Sequence, residues 1–191
     1  MWLVVGLGNP GEEYAATRHN AGFMLVERLA LAWGVELRGR LFKARSGLAR
    51  RGGEDVLLAL PRTFMNRSGL AVRAAMAGKA VRPDRLVVVY DDLDIPLGEI
   101  RVRKKGRPGS HKGMISVAGE IGTDAFARVR VGIGPLPAAR DAADFVLEPF
   151  RREERPLLDK SLEQAREALE MILDGRVDRA MTRFNRRPAE G

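Results

Sequence analysis

The run Leu86-Val87-Val88-Val89-Tyr90 constrains the fold of this chain more than any other. It is apolar at every position, rich in β-branched residues and too short for a buried helix. It therefore predicts a central strand covered on both faces, and such a strand needs helices above and below it. Trp2 to Leu7 reads as another short buried strand, followed by the turn Gly8-Asn9-Pro10-Gly11. From Ala21 to Trp33, the residues Phe23, Val26, Leu29, Ala30 and Trp33 recur at helical spacing, with Asn20 or Thr17 as cap and Gly34 as stop. Phe42–Leu48 and Asp55–Leu60 read as two strands of a hairpin joined through Arg50-Arg51-Gly52-Gly53. A helix over Phe64–Gly78, strands over Ile100–Arg103 and Val129–Ile133, and a short helix over Met114–Ile121 follow. Leu158, Leu162, Ala165, Leu169 and Ile172 line one face of a long helix, and Arg176–Phe184 adds a turn or two more. The alternation predicts an α/β fold. It is a single three-layer α/β/α domain over residues 1–184 around a mixed, mostly parallel sheet, with 185–191 as a flexible tail.

Composition removes several classes of function. The 191 residues include no cysteine, which excludes disulfide scaffolds, thiolate zinc sites, iron–sulfur clusters and cysteine nucleophiles. No apolar run approaches the roughly 18 residues of a membrane helix. The first apolar run has no basic segment before it, so it is not a secretory signal, and the expected address is the cytoplasm.

Charge points to a partner. The formal net charge is +8, but it is unevenly placed. Ile100 to Gly119 holds six cations and no acid: Arg101, Arg103, Lys104, Lys105, Arg107 and Lys112. Leu37 to Gly53 holds six more, again without an acid, so the remainder of the chain sums to −4. Two basic stretches on an otherwise near-neutral protein suggest a polyanion, with nucleic-acid phosphates first. The plainer reading is a solvated surface in an arginine-rich chain.

Five segments can carry chemistry. Gly6-Leu7-Gly8-Asn9-Pro10-Gly11 matches the spacing of a dinucleotide loop. However, Pro10 and Gly11 keep the chain turning, Glu12 and Glu13 fall where a pyrophosphate would lie, and no second strand follows at the needed distance. Asn9 remains as a functional candidate at a strand's carboxyl end. Thr17-Arg18-His19-Asn20 places one of only two histidines just before a helix, where the positive helix end favours a neutral imidazole suited to a general base. Asp91, directly after the buried run, can orient that imidazole; a Mg²⁺ site from Asp91, Asp92 and Asp94 is the rival reading. Thr63-Phe64-Met65-Asn66-Arg67-Ser68-Gly69 presents Asn66, as cap or as substrate contact. The Gly106–Gly113 loop can offer backbone N–H groups to an anion. Two histidines so far apart in sequence make zinc improbable.

Read jointly, these runs resemble bacterial-type peptidyl-tRNA hydrolases. The resemblance rests on Val5-Gly6-Leu7-Gly8-Asn9-Pro10-Gly11 with Tyr14, Thr17–Phe23, Pro61–Gly69, Asp91-Asp92-Leu93-Asp94-Ile95-Pro96-Leu97-Gly98 and Arg128–Gly134. It implies an esterase that frees tRNA from prematurely released peptidyl-tRNA, acting as a monomer without metal or organic cofactor. By similarity His19 is the base that activates water and Asp91 its partner. Asn9, Tyr14, Met65 and Asn66 line the substrate cleft. Arg101, Arg103, Lys104, Lys105, Lys112 and Arg130 face the phosphates of the tRNA acceptor arm. The chain departs from the family in having Gly109-Ser110-His111-Lys112-Gly113 where an Asn is usual at 112. Lys keeps donors there, loses the acceptor and adds charge. A catalytically weak RNA-binding relative on the same fold is therefore the alternative.

Overall fold

The computed structural model describes residues 1–185. Six strands form one sheet in the order β2-β3-β1-β4-β6-β5. They are β1 (Trp2–Gly6), β2 (Ala44–Arg51), β3 (Glu54–Pro61), β4 (Leu86–Pro96), β5 (Ile100–Arg103) and β6 (Ala127–Gly134). The inner four, β3, β1, β4 and β6, run parallel. The two edge strands, β2 and β5, run antiparallel to their neighbours. The sheet is thus mixed and mostly parallel, as the sequence predicts.

Side-chain alternation along β4 builds two cores. Leu86, Val88 and Tyr90 face α2 (Ser68–Lys79) and α3 (Lys112–Ile121). Val87 and Val89 face α1 (Ala21–Ala32), α5 (Arg155–Leu173) and α6 (Val177–Phe184). Full burial of both sets explains why the strand reads as an unbroken apolar run. None of the described helices is long and apolar enough to cross a membrane.

Several elements differ from expectation. A sixth helix, α4 (Ala142–Leu147), follows β6; its six residues are too few to show a helical period. β4 runs on past Tyr90 to Pro96, so Asp91 is a strand residue registered against Val131. β2 starts at Ala44, because Phe42 and Lys43 adopt left-handed backbone angles that end any strand before it. Neither Thr17 nor Asn20 caps α1 with its side chain. Thr17 Oγ1 donates to the Tyr14 carbonyl at 2.8 Å, and Asn20 turns to Asn9. Asn185 does not begin a loose tail: its amide brackets Val102 on edge strand β5, accepting from the N–H at 2.8 Å and donating to the C=O at 2.9 Å. The rest of the expected tail lies outside the described residues.

The glycines of the first turn serve packing. A Cβ on Gly22 would stand 2.4 Å from the Val89 carbonyl and 2.6 Å from Leu7 N. A Cβ on Gly6 would stand 2.2 Å from the Gly22 carbonyl. Helix α1 therefore enters backbone against backbone over β1 and β4, and Gly8 leaves room for the Phe23 ring. The dinucleotide-like spacing is accounted for by this contact. Gly22→Ala is expected to lower unfolding free energy by about 1–3 kcal/mol through overpacking. Gly119→Ala on α3 opens into free space and is expected to be neutral or to gain up to about 1 kcal/mol from helix propensity. Urea midpoints of the two variants check both.

Candidate active site

A cleft of about 690 Å³ opens at the carboxyl ends of the central strands, where open α/β sheets bind ligands. Three short segments meet in it: the tight turn Arg18–Asn20, the end of β4, and the loop leading into α3. Their junction is the Asp91 carboxylate, which is 2% exposed. The Nδ1 of His19 lies 2.9 Å from each carboxylate oxygen, and His111 Nε2 lies 3.0 Å from Oδ1. The two imidazole centroids are 4.9 Å apart, and the Tyr90 ring meets His111 edge-on. Burial alone would raise the Asp91 carboxyl, but the facing His111 and His19 outweigh it and hold the group well below the ordinary carboxylate range.

The two histidines are not equivalent. His111 is the N-cap of α3, and its Nδ1 accepts the Met114 N–H at 3.2 Å. A nitrogen that accepts an N–H carries no proton, so the His111 proton sits on Nε2 and is donated to Asp91. His19 donates its Nδ1 proton to the same carboxylate. Its Nε2 makes no bond to the protein among the described residues, which leaves one open lone pair in the cleft.

The same accounting bears on metal. The ligand atoms of His19, Asp91 and His111 lie within 4.8 Å of one another, so the fold joins histidines that sequence distance had set apart. A metal on His111 Nε2 would need the proton on Nδ1, where Met114 N–H already points. The donor set thus fits proton handling and does not fit a resident metal. The Mg²⁺ reading fails as well. Asp91 is engaged by the imidazoles, Asp92 accepts from Arg130 Nε at 2.6 Å and from Asp94 N–H at 3.0 Å, and the three carboxylates do not converge.

Asn9 lies on the wall beside the imidazole. Its backbone N–H donates to Asn20 Oδ1 at 2.9 Å, and Asn20 Nδ2 donates back to its carbonyl at 3.0 Å. Its Oδ1 accepts the Met65 N–H at 2.8 Å, which fixes the orientation of the amide. The Nδ2 hydrogens remain available as donors. Met65 lines the same wall and is buried, while Asn66 stands exposed beside it.

The cationic residues separate. Arg103, Lys105, Lys112 and Arg130 line the cleft, together with Arg107. Arg130 is paired with Asp92; the other four have no carboxylate partner among the described residues. Arg101 is not at the cleft: its guanidinium folds onto Glu99 at 2.8 Å and the Ile100 carbonyl at 2.8 Å. Lys104 is not there either: it pairs with Asp178 on α6 at 2.7 Å and borders a different cavity. Tyr14 is half-buried in the Glu12–Tyr14 turn and does not line the cleft.

Besides Arg107, four cleft residues were not assigned a site role from sequence. His111 carried a signal, as one of two histidines in a glycine-rich loop entering a helix. Arg128 is buried and donates to the carbonyls of Gly106 at 2.5 Å and Asp124 at 2.6 Å, anchoring the base of the basic loop. Val146 and Leu147 of α4 form the far wall.

Fold and cleft together define a class: an α/β enzyme with a carboxylate-held imidazole at the carboxyl edge of its sheet. The family model for peptidyl-tRNA hydrolase matches residues 3–191. A peptidyl-tRNA hydrolase from Alkaliphilus metalliredigens is 44% identical over 97% of this chain and 100% of its own length. One from Carboxydothermus hydrogenoformans is 47% identical, covering 97% and 99%. The crystal structure of peptidyl-tRNA hydrolase from Acinetobacter baumannii matches with a TM-score of 0.90 at 38% identity, over 97% of this chain and 94% of that one. The chain belongs to the peptidyl-tRNA hydrolase family.

The depressed Asp91 carboxyl makes a pH prediction. Its contribution to stability is complete above the unfolded carboxylate value of about 4 and is lost as pH falls toward its native value. The stability gap between wild type and Asp91→Asn is therefore expected to shrink steadily from pH 5 downward. Urea unfolding across that range checks it.

Proposed function

We propose that this protein hydrolyses the ester between a peptidyl carboxyl and the terminal ribose of tRNA, with His19 as general base. The observation that carries the reading is the His19–Asp91 contact at 2.9 Å, which leaves His19 Nε2 free inside a cleft rimmed by unpaired cations. Nε2 takes a proton from water as the water attacks the ester carbonyl. The imidazolium that forms is stabilised by Asp91, which does not itself take up the proton. His111 holds Asp91 from the other side, its Nδ1 occupied by the Met114 N–H. The Asn9 Nδ2 and the Asn66 amide supply donors for the peptide end and for the charge developing on the carbonyl oxygen.

Arg103, Lys105, Lys112 and Arg130 are the residues proposed to meet tRNA phosphates, with Arg107 added from its place on the rim. Arg101 and Lys104 are left out, because neither lines the cleft and each is turned onto an acid, Glu99 or Asp178; Arg130 is kept, since it lines the cleft although it is paired with Asp92. The reading takes residues 1–184 as one catalytic unit, acting as a monomer in the cytoplasm without a metal. A catalytically weak relative is not favoured, since imidazole, carboxylate and cleft amides are all assembled around one open space.

The test is turnover of an N-blocked aminoacyl-tRNA. His19→Ala is expected to lower kcat by about 10²–10⁴-fold while tRNA affinity holds within about twofold. Wild-type turnover in that variant overturns the assignment. A chelator is expected to leave the wild-type rate unchanged. Affinity for tRNA is expected to fall with salt. Arg103→Ala combined with Lys105→Ala should flatten the slope of log affinity against log salt by about 1–2, one unit per lost phosphate contact.

A further inference from the structure

The residue beside the imidazole is a buried cation, one of two near the cleft with Arg128. Arg18 is 1% exposed, and its guanidinium donates a fork of bonds to Glu154, from Nη1 to Oε2 at 3.0 Å and from Nη2 to Oε1 at 3.1 Å. Its planar head lies 4.5 Å from the Phe145 centroid and 5.0 Å from the Phe150 centroid. Such a fork and such stacking are specific to a guanidinium.

These partners belong to a single stretch of chain. Phe145 is in α4, Phe150 follows it, and Glu154 stands just before α5. The backbones are joined as well. Arg18 N–H donates to the Glu148 carbonyl at 3.0 Å, Phe150 N–H donates to the Ala16 carbonyl at 3.2 Å, and Thr17 bridges Pro149. Helix α4 also contributes Ala142, Ala143, Val146 and Leu147 to the cleft wall. The turn Arg18–Asn20 therefore faces three ways. Arg18 grips the α4 segment, His19 enters the cleft, and Asn20 holds Asn9.

We propose that Arg18 is a positioning residue: through Glu154, Phe145 and Phe150 it locks the His19 turn to the α4 wall, so that seating of substrate against that wall and aim of the imidazole are one mechanical event. This rests on the reading of His19 as base. Arg18 touches no reacting atom. A turn of three residues has few internal restraints, and its orientation is set by what its flanking side chains hold. A displacement of about 1 Å at a catalytic group can cost about 10²-fold in rate. The expected signature is therefore a loss in kcat with substrate affinity retained.

The test compares wild type, Glu154→Gln, Arg18→Met, Arg18→Lys and the double variant Arg18→Met/Glu154→Gln on N-blocked aminoacyl-tRNA. Glu154→Gln is close in shape at a partly exposed site, so it keeps the test valid if Arg18→Met fails to fold. Glu154→Gln is expected to lower kcat about 3–10-fold and Arg18→Met at least about tenfold, with KM within about twofold in both. The double variant should be no slower than Arg18→Met alone, as for two residues acting through one contact. Arg18→Lys should recover little, because an ammonium cannot form the fork while keeping contact with both rings. The proposal is overturned if folded variants keep kcat within about twofold, or if the loss appears in KM alone. A wild-type protein that fails to cleave this substrate overturns the underlying hydrolase reading first. Loss of kcat in His19→Ala but not in the Arg18 and Glu154 variants overturns only the present one.

Discussion

A buried carboxylate shared by two imidazoles organises this protein. Asp91 sits at 2% exposure, where an isolated charge would cost several kcal/mol. Two N–H donors offset that cost, and each comes from a different part of the chain. The requirement runs outward from there. β4 must be central, so that its end lies deep. Helix α1 must approach through Gly22, so that the turn before it overhangs that end. Helix α3 must begin at His111, so that the second ring is placed by its own capping bond.

What separates the two histidines is the use of the nitrogen that faces away from Asp91. In His111 it is occupied by a backbone N–H, which makes the ring a fixed donor. In His19 it is open, which is what the proposed role as a base requires. Asn9 follows the same logic: three of its polar groups are engaged by Asn20 and Met65, and the remaining one, Nδ2, is left as a donor. A group is made available for substrate by satisfying everything else around it. This is preorganisation in its simplest form.

The charges obey a similar distinction. Sequence supplies a run of cations between Ile100 and Gly119, yet only Arg103, Lys105, Arg107 and Lys112 line the cleft without a carboxylate partner among the described residues. Arg101 and Lys104 lie in that run and are neutralised by Glu99 and Asp178; Arg103 and Lys105 alternate with them and are not. Buried Arg18 and Arg128 lie outside it altogether and bind protein, one through a carboxylate fork and the other through backbone carbonyls.

Much of this molecule was legible before folding. The unbroken apolar run of β4, the helical spacing of α1 and α5 and the sequence alternation of the two are local patterns, and local patterns fix element type and layer count. His19, Asp91, Asn9 and Asn66 were legible as candidates, because the sequence places each near the end of an apolar strand run or the start of a helix, although β4 itself runs on past Asp91. The tertiary structure alone decided partners. His19 and Asp91 are 72 residues apart, His111 joins Asp91 from 20 residues on, and Arg18 reaches Glu154 across 136. It also removed Tyr14, Arg101 and Lys104 from the cleft and added α4 to it. Hydrogen bonds and counter-ions are relations between distant segments, set by sheet order and helix approach, and no spacing along the chain encodes them.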